Sequence, residues 1–401
     1  MPRPPAERIQ RIPRACSLFL SGLFLSCLFL SGCTETPEPR PLPPTTAAAL
    51  PSTLTPTAQP PTTGPPPGPT PAPAPAPSNS VVFTPAFQEL RATLELFSRE
   101  KLDEGASAVL IKAKVGQQEW TLAEGVLTRE GRVAVQPGHR FHVGEQFRTL
   151  LAVSVMKLVE EGRLGLDDPL AAYLPGSVSA GTAVTIRQLL GDVADLPAGL
   201  AASERAPGAP GPDALLGLVV EQLRGVPLGT VLRTDVLTPL NLRSTELLDA
   251  NSAIPDDLVH GYVQLEGETM DVTRTGLQDG IANGGLVSTV EDISAFHTAL
   301  LRGELVQPAS LIAMKGTVFD DYGLGLDHWD DRCTNGSYYG HAGDVPGYGS
   351  IAMSSADGNR QLSIFMAYPP QAVSTQPSAL ALEMTGVAQV ALNAGCRFQF
   401  R

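Results

Sequence analysis

Ser154 and Lys157 stand three residues apart in Ser154-Val155-Met156-Lys157, where one helical turn would bring a hydroxyl beside an amine able to take its proton. The setting opposes that chemistry. The flanking run LLAVSVMKLVEEG continues at helical apolar spacing, so Ser154 is expected in mid-helix. There it gains nothing from a helix N-terminus, and its hydroxyl can turn back onto the carbonyl of Leu150. Glu145 and Arg148 lie at i, i+3 near the start of the same segment. Two readings are open: they pair with each other, or Arg148 presents its planar fork to a ligand carboxylate. Asp192 and Asp195, with Glu145, are three further carboxylates. Their spacing makes a poor metal set, no Cys/His spacing suggests zinc, and solvated loop acids are the better reading. No cofactor is implied.

The elements that must position these residues follow from periodicity. Phe87 to Lys101 carries apolar residues at helical spacing, and the segments around Gly116-Gln117-Gln118 alternate as a β-hairpin. Helical patterns fill the middle, in Phe141 to Leu170, VTIRQLLGDV, DALLGLVVEQLRG and TVEDISAFHTALLRGEL. Strands return late: Ser350 to Tyr368 reads as a hairpin turning at Asp357-Gly358, and Ala379 to Asn393 as a last amphipathic helix. The expected fold class is α+β. Both chain ends contribute to one antiparallel sheet flanked by the terminal helices, with a mostly helical lobe inserted between. The sheet lobe is expected over about 81–140 and 310–401, the helical lobe over about 141–309.

What precedes residue 81 has another character. Arg3, Arg8, Arg11 and Arg14 lead into an uncharged apolar run from Ser17 to Leu30, too short for a comfortable membrane span and suited to a signal-peptide core. Leu30-Ser31-Gly32-Cys33 resembles a bacterial lipobox, in which Cys33 becomes lipidated. An ordinary cleaved leader is the plainer alternative. Residues 1–33 are thus read as leader and lipobox. Residues 34–80, rich in Pro, Ala and Thr, form an extended tether, and 81–401 the folded domain. An extracytoplasmic domain held to a bacterial membrane through Cys33 follows.

The chain carries a net charge of −13, of which the leader contributes +3 and the tether −1, leaving −15 on the domain. That excess opposes nucleic acid and acidic head groups as partners. Of five cysteines, only Cys333 and Cys396 belong to the domain. In an oxidising compartment a disulfide between them is the favoured reading, with two buried thiols as the alternative.

Several segments occur in a set order. Phe141, Gly144, Leu158-Val159-Glu160-Glu161-Gly162, Leu164, Leu166 and Asp167-Asp168-Pro169 keep a gapless spacing. VTIRQLLGDVADLP (Val184 to Pro197), the block opening at Leu215-Leu216-Gly217 and NGGLVSTVED (Asn283 to Asp292) follow. YGLGL (Tyr322 to Leu326) and YGHAGDVPGYGS (Tyr339 to Ser350) complete the series. Together they resemble the serine β-lactamase-like superfamily, in its class C β-lactamase and DD-carboxypeptidase, penicillin-binding-protein-like branch. The resemblance runs from about Phe87 to the C-terminus.

That resemblance implies a serine nucleophile and, one turn on, a lysine base. In register those positions hold Glu145 and Arg148. Arginine stays protonated and cannot act as the base. Glutamate at an acyl carbon gives only a labile anhydride. The implied Tyr-x-Asn motif falls on Gly208-Ala209-Pro210, which offers no side-chain donor or acceptor. The third implied motif survives as His341-Ala342-Gly343, on the strand edge that lines the substrate cleft. It either hydrogen-bonds a peptide or carboxylate through His341 and Gly343, or persists because small residues permit close packing. Ser154 cannot deputise, because nine positions from Glu145 rotate it by about 180° around the helix.

The leading expectation is therefore a domain without hydrolase chemistry that binds or scaffolds at the cell envelope, with peptidoglycan stem peptides or an envelope protein as partner. The alternative is an active serine hydrolase (carboxypeptidase, β-lactamase or esterase) using other residues. A relic without a ligand is the third. An open cleft with Arg148 free marks the binder, and a Glu145–Arg148 pair marks the relic. A Ser, Cys or Thr within reach of a base marks the enzyme.

Overall fold

The structure, a computed structural model, describes residues 83–176, 184–191, 211–249, 251–274, 285–318, 321–373 and 378–394. The chain divides into two units, Met1–Pro77 and Ser78–Arg401, and every described residue belongs to the second. The leader, Cys33, the tether, Asp192, Asp195, Gly208-Ala209-Pro210 and Cys396 lie outside the described residues.

Thr84 opens helix α1 (Pro85–Asp103): its hydroxyl accepts from the Phe87 N–H, and Pro85 takes the first turn, where its missing N–H costs nothing. Phe87, Leu90, Leu94 and Phe97 form its buried stripe. Strands β1 (Ala108–Val115) and β2 (Gln118–Gly125) make the expected hairpin. After β3 (Phe141–His142) the chain enters α2 (Phe147–Glu160), then α3 (Ile186–Leu190), α4 (Pro212–Arg224) and α5 (Leu228–Leu232). Short strands β4 (Glu246–Leu247), β5 (Tyr262–Leu265), β6 (Glu268–Asp271) and β7 (Leu286–Ser288) precede α6 (Val290–Leu301) and α7 (Pro308–Lys315). The chain closes with β8 (Asp327–Asp331), β9 (Gly336–Val345), β10 (Tyr348–Ser355), β11 (Arg360–Ala367) and α8 (Ala379–Ala394).

The main sheet runs β2-β1-β11-β10-β9-β8, antiparallel throughout, so both chain ends build it. Alternation sorts its side chains. Val109, Ile111 and Ala113 face one core with the buried sides of α1 and α8, whereas Ala108 and Leu110 face a second core with α2, α4 and α6. Every residue of the central strands β10 and β11 is buried, as two covered faces require. The inserted lobe is less purely helical than its periodicity suggests. It also holds a sheet β3-β7-β4 and a hairpin β5-β6, made of strands too short to register as period-two runs.

Candidate functional site

The segment in register with a nucleophile does not lie within α2 itself. Gly144, Glu145 and Gln146 form a 3-10 turn ahead of it, entered through Gly144 at φ +57°. Only glycine takes that conformation readily, and the space is equally restrictive: a Cβ on Gly144 would lie 3.2 Å from the Asp344 nitrogen. A Cβ on Gly343 would lie 2.2 Å from the Val143 carbonyl oxygen. The turn and β9 therefore approach backbone to backbone, and Gly343 earns its place by packing. A buried chain holds the turn from beneath: Gln146 Nε2 donates to Ser350 Oγ (2.9 Å), which donates to the Val143 carbonyl (2.8 Å).

This approach decides where Glu145 goes. Past Gly340, β9 no longer pairs with β8, so its outward N–H groups need other acceptors. Asp327 Oδ2 accepts from Ala342 N (3.1 Å), and Glu145 Oε2 accepts from Asp344 N (2.7 Å). Burial pushes the Glu145 carboxyl above the usual carboxylate range. The Asp344 N–H, its own N–H, Arg148 and His341 pull the other way by favouring the charged form. Two backbone N–H groups thus converge on this carboxylate. Such a pair would otherwise stabilise an anion developing on a substrate.

Arg148 takes a different partner from either expected one. Its Nε donates to both carboxylate oxygens of Asp213, at 2.9 and 3.1 Å, with the side chains 11% and 10% exposed. Asp213 stands in the first turn of α4, where the helix dipole favours a negative charge. The expected Glu145–Arg148 pair is thereby corrected, as is the expectation of an unengaged Arg148. The physical reason is that β9 brings a closer donor to Glu145, while α4 delivers a buried carboxylate to Arg148. Neither approach is visible in local spacing.

Ser154 is fully buried in α2 and its hydroxyl has no hydrogen-bond partner. The bond it could make to the Leu150 carbonyl is not formed. Among the described residues nothing hydrogen-bonds that hydroxyl, so Ser154 serves the packing of α2.

His341 is buried, at 5% exposure, on β9. Its Nε2 lies 2.8 Å from the hydroxyl of Tyr322, and the rings meet edge to face at 5.6 Å. Its Nδ1 faces the Ala342 carbonyl and stands 3.9 Å from Asp327 Oδ2. Tyr322, Asp327, Asp213 and Asp344 are site residues that sequence reasoning missed. An acid at the head of the DALLGLVVEQLRG helix was readable, but its partner was not. Cys333 is disulfide-bonded, and the expected partner Cys396 lies outside the described residues. Among the described residues, no group of three or more His, Cys, Asp or Glu side chains is arranged to hold a metal.

The family profile described as Beta-lactamase matches residues 99–376. The putative penicillin-binding protein PbpX of Bacillus subtilis (strain 168) is 23% identical over 268 residues, covering 60% of this chain and 65% of that protein. The chain thus spans less than two thirds of that relative's length. Among solved structures, a D-stereospecific amidohydrolase from Streptomyces sp. superposes with a TM-score of 0.58 at 23% identity, over 69% of this chain and 94% of that one. The D-amino acid amidase from Ochrobactrum anthropi SV3, complexed with L-phenylalanine amide, gives 0.62 at 18% identity, over 78% and 100%. At these identities the structural likeness establishes the fold.

Proposed function

The chain belongs to the Beta-lactamase family, and from that premise we propose that it is a member without hydrolase chemistry, held outside a bacterial membrane, that scaffolds or binds at the cell envelope. One observation carries the reading: the residue in register with the nucleophile is Glu145, and its carboxylate occupies the Asp344 N–H. An acyl substrate would find no serine hydroxyl to attack it and a carboxyl group already seated on the N–H that would serve its own oxyanion. The arginine in register with the base supports the same reading, since it stays protonated and is engaged by Asp213.

The envelope role rests on the sequence. Lipidation at Cys33 and the Pro-rich tether would place the domain away from the membrane surface, and a Cys333–Cys396 disulfide would suit that compartment. Its partners are then an envelope protein or peptidoglycan stem peptides. A peptide would be read along β9 near His341 rather than by Arg148, whose Nε is committed to Asp213.

The test is intact-mass analysis of the purified protein after incubation with a penicillin and with a fluorophosphonate. The expected result is no adduct on any serine. The Glu145→Ser/Arg148→Lys double variant, which restores a nucleophile and a base, serves as the receptive control. A serine adduct on the unaltered protein would overturn the proposal.

A further inference from the structure

Tyr322 and His341 form an arrangement that the lost serine chemistry does not use. A carbonyl oxygen can only accept, so the contact between His341 Nδ1 and the Ala342 carbonyl places the ring proton on Nδ1. Nε2 is then a lone-pair acceptor, and the phenol 2.8 Å away donates to it. Asp327 supports the same tautomer. Its Oδ2 is 3.9 Å from Nδ1 and is itself tied down by the Ala342 N–H at 3.1 Å. The groups thus stand as a hydroxyl, a base with its free lone pair aimed at that hydroxyl, and a third group orienting the base.

A carboxylate stands beside the acceptor. If Nε2 took the phenolic proton, the resulting imidazolium would lie 3.9 Å from the Asp327 carboxylate and within the influence of Glu145. His341 is buried, so its orientation is held by packing, whereas Tyr322 is only partly buried.

We propose that Tyr322 is an activated phenol, a modification site for electrophilic sulfonyl, phosphonyl or acyl centres, with His341 Nε2 as the proton acceptor. With an arylsulfonyl fluoride the balance is simple. The Tyr322 oxygen forms a bond to sulfur, the sulfur–fluorine bond breaks, fluoride leaves, and the phenolic proton passes to His341. The aryl sulfonate remains on the protein. The reaction is a single modification without turnover, and it stands independently of the reading that serine chemistry has been lost. An adduct on Tyr322 leaves that reading intact, and one on a serine removes it.

The experiment treats the full-length protein with an arylsulfonyl fluoride and follows labelling at each tyrosine by peptide mapping. Two other tyrosines serve as internal controls. Tyr339 packs its ring against His328 and Lys315, and Tyr173 meets the far weaker base Asp168. Since a positioned base contributes about 10²–10⁴-fold, Tyr322 is expected to label at least about tenfold faster than either. In folded His341→Asn that advantage should fall to about unity, and in Tyr322→Phe the label should vanish with the circular dichroism spectrum unchanged. If His341→Asn does not fold, the comparison among tyrosines of the unaltered protein still decides. Equal labelling of all three, or a Tyr322 rate that survives in folded His341→Asn, overturns the proposal.

Discussion

Replacing Arg148 by methionine keeps the aliphatic bulk but deletes the guanidinium, leaving the Asp213 carboxylate, 10% exposed, without the group that donates to both its oxygens. Breaking a buried pair from one side costs about 3–5 kcal/mol, because the remaining charge is desolvated with nothing to offset it. For a unit spanning Ser78–Arg401, unfolding entropy scaled by length turns that into a fall in Tm of roughly 4–7 °C. Asp213→Leu should also destabilise, by removing the carboxylate to which Nε donates twice. The double variant Arg148→Met/Asp213→Leu should recover part of the loss, since neither member of the pair then leaves the other's charge buried alone. Denaturant unfolding followed by circular dichroism, run as a double-mutant cycle, measures all three. Should Arg148→Met cost less than about 1 kcal/mol, or the two losses simply add, the pair is not structural. Arg148 would then return as a candidate reader of ligand carboxylates.

Two further outcomes follow from burial. His297 is enclosed on α6 with neither ring nitrogen hydrogen-bonded, and burial, assisted by His341, pulls its pKa down to about 3. The unfolded chain titrates near the ordinary value of about 6.5, so below that pH it takes up a proton that the folded state refuses. Stability should therefore fall with pH between about 6.5 and 3, by up to about 1.4 kcal/mol per unit from this group. His297→Leu should remove that component, and urea midpoints across the range compare the two slopes. Gly343→Ala drives a Cβ to 2.2 Å from the Val143 carbonyl, and backbone that cannot give way makes this an overpacking loss of about 1–3 kcal/mol. A stability unchanged in the same unfolding assay would show that the turn and β9 are not in rigid contact.

Much of the architecture was legible in the chain because it rests on local patterns. The apolar spacing of Phe87, Leu90, Leu94 and Phe97 specifies a one-faced helix. The turn at Asp357-Gly358, with Gly358 at φ +70°, specifies the hairpin that becomes β10 and β11. Paired strands at both ends with helical stripes between them leave few ways of covering one sheet. The placing of Glu145 and Arg148 at the nucleophile and base positions is what the resemblance carried by the spacing from Phe141 to Pro169 implies. The inability of Arg148 to act as a base follows from its chemistry alone.

The partners of those residues belong to the tertiary structure. Glu145 meets an N–H 199 positions away, and Arg148 a carboxylate 65 positions away. In sequence, Glu145 and Arg148 are three apart and of opposite charge, so a mutual pair was the natural local expectation. Two close approaches overrode it. Gly144 and Gly343 let β9 press against the turn, and the first turn of α4 carries Asp213 to the guanidinium. Ser154 teaches the same lesson in reverse, since a string that spells nucleophile and base is sealed in a core where its hydroxyl meets nothing. Periodicity reports which face of an element is buried. Which groups meet across that face is set by how closely backbones distant in sequence can approach, and here the absence of two side chains decided it.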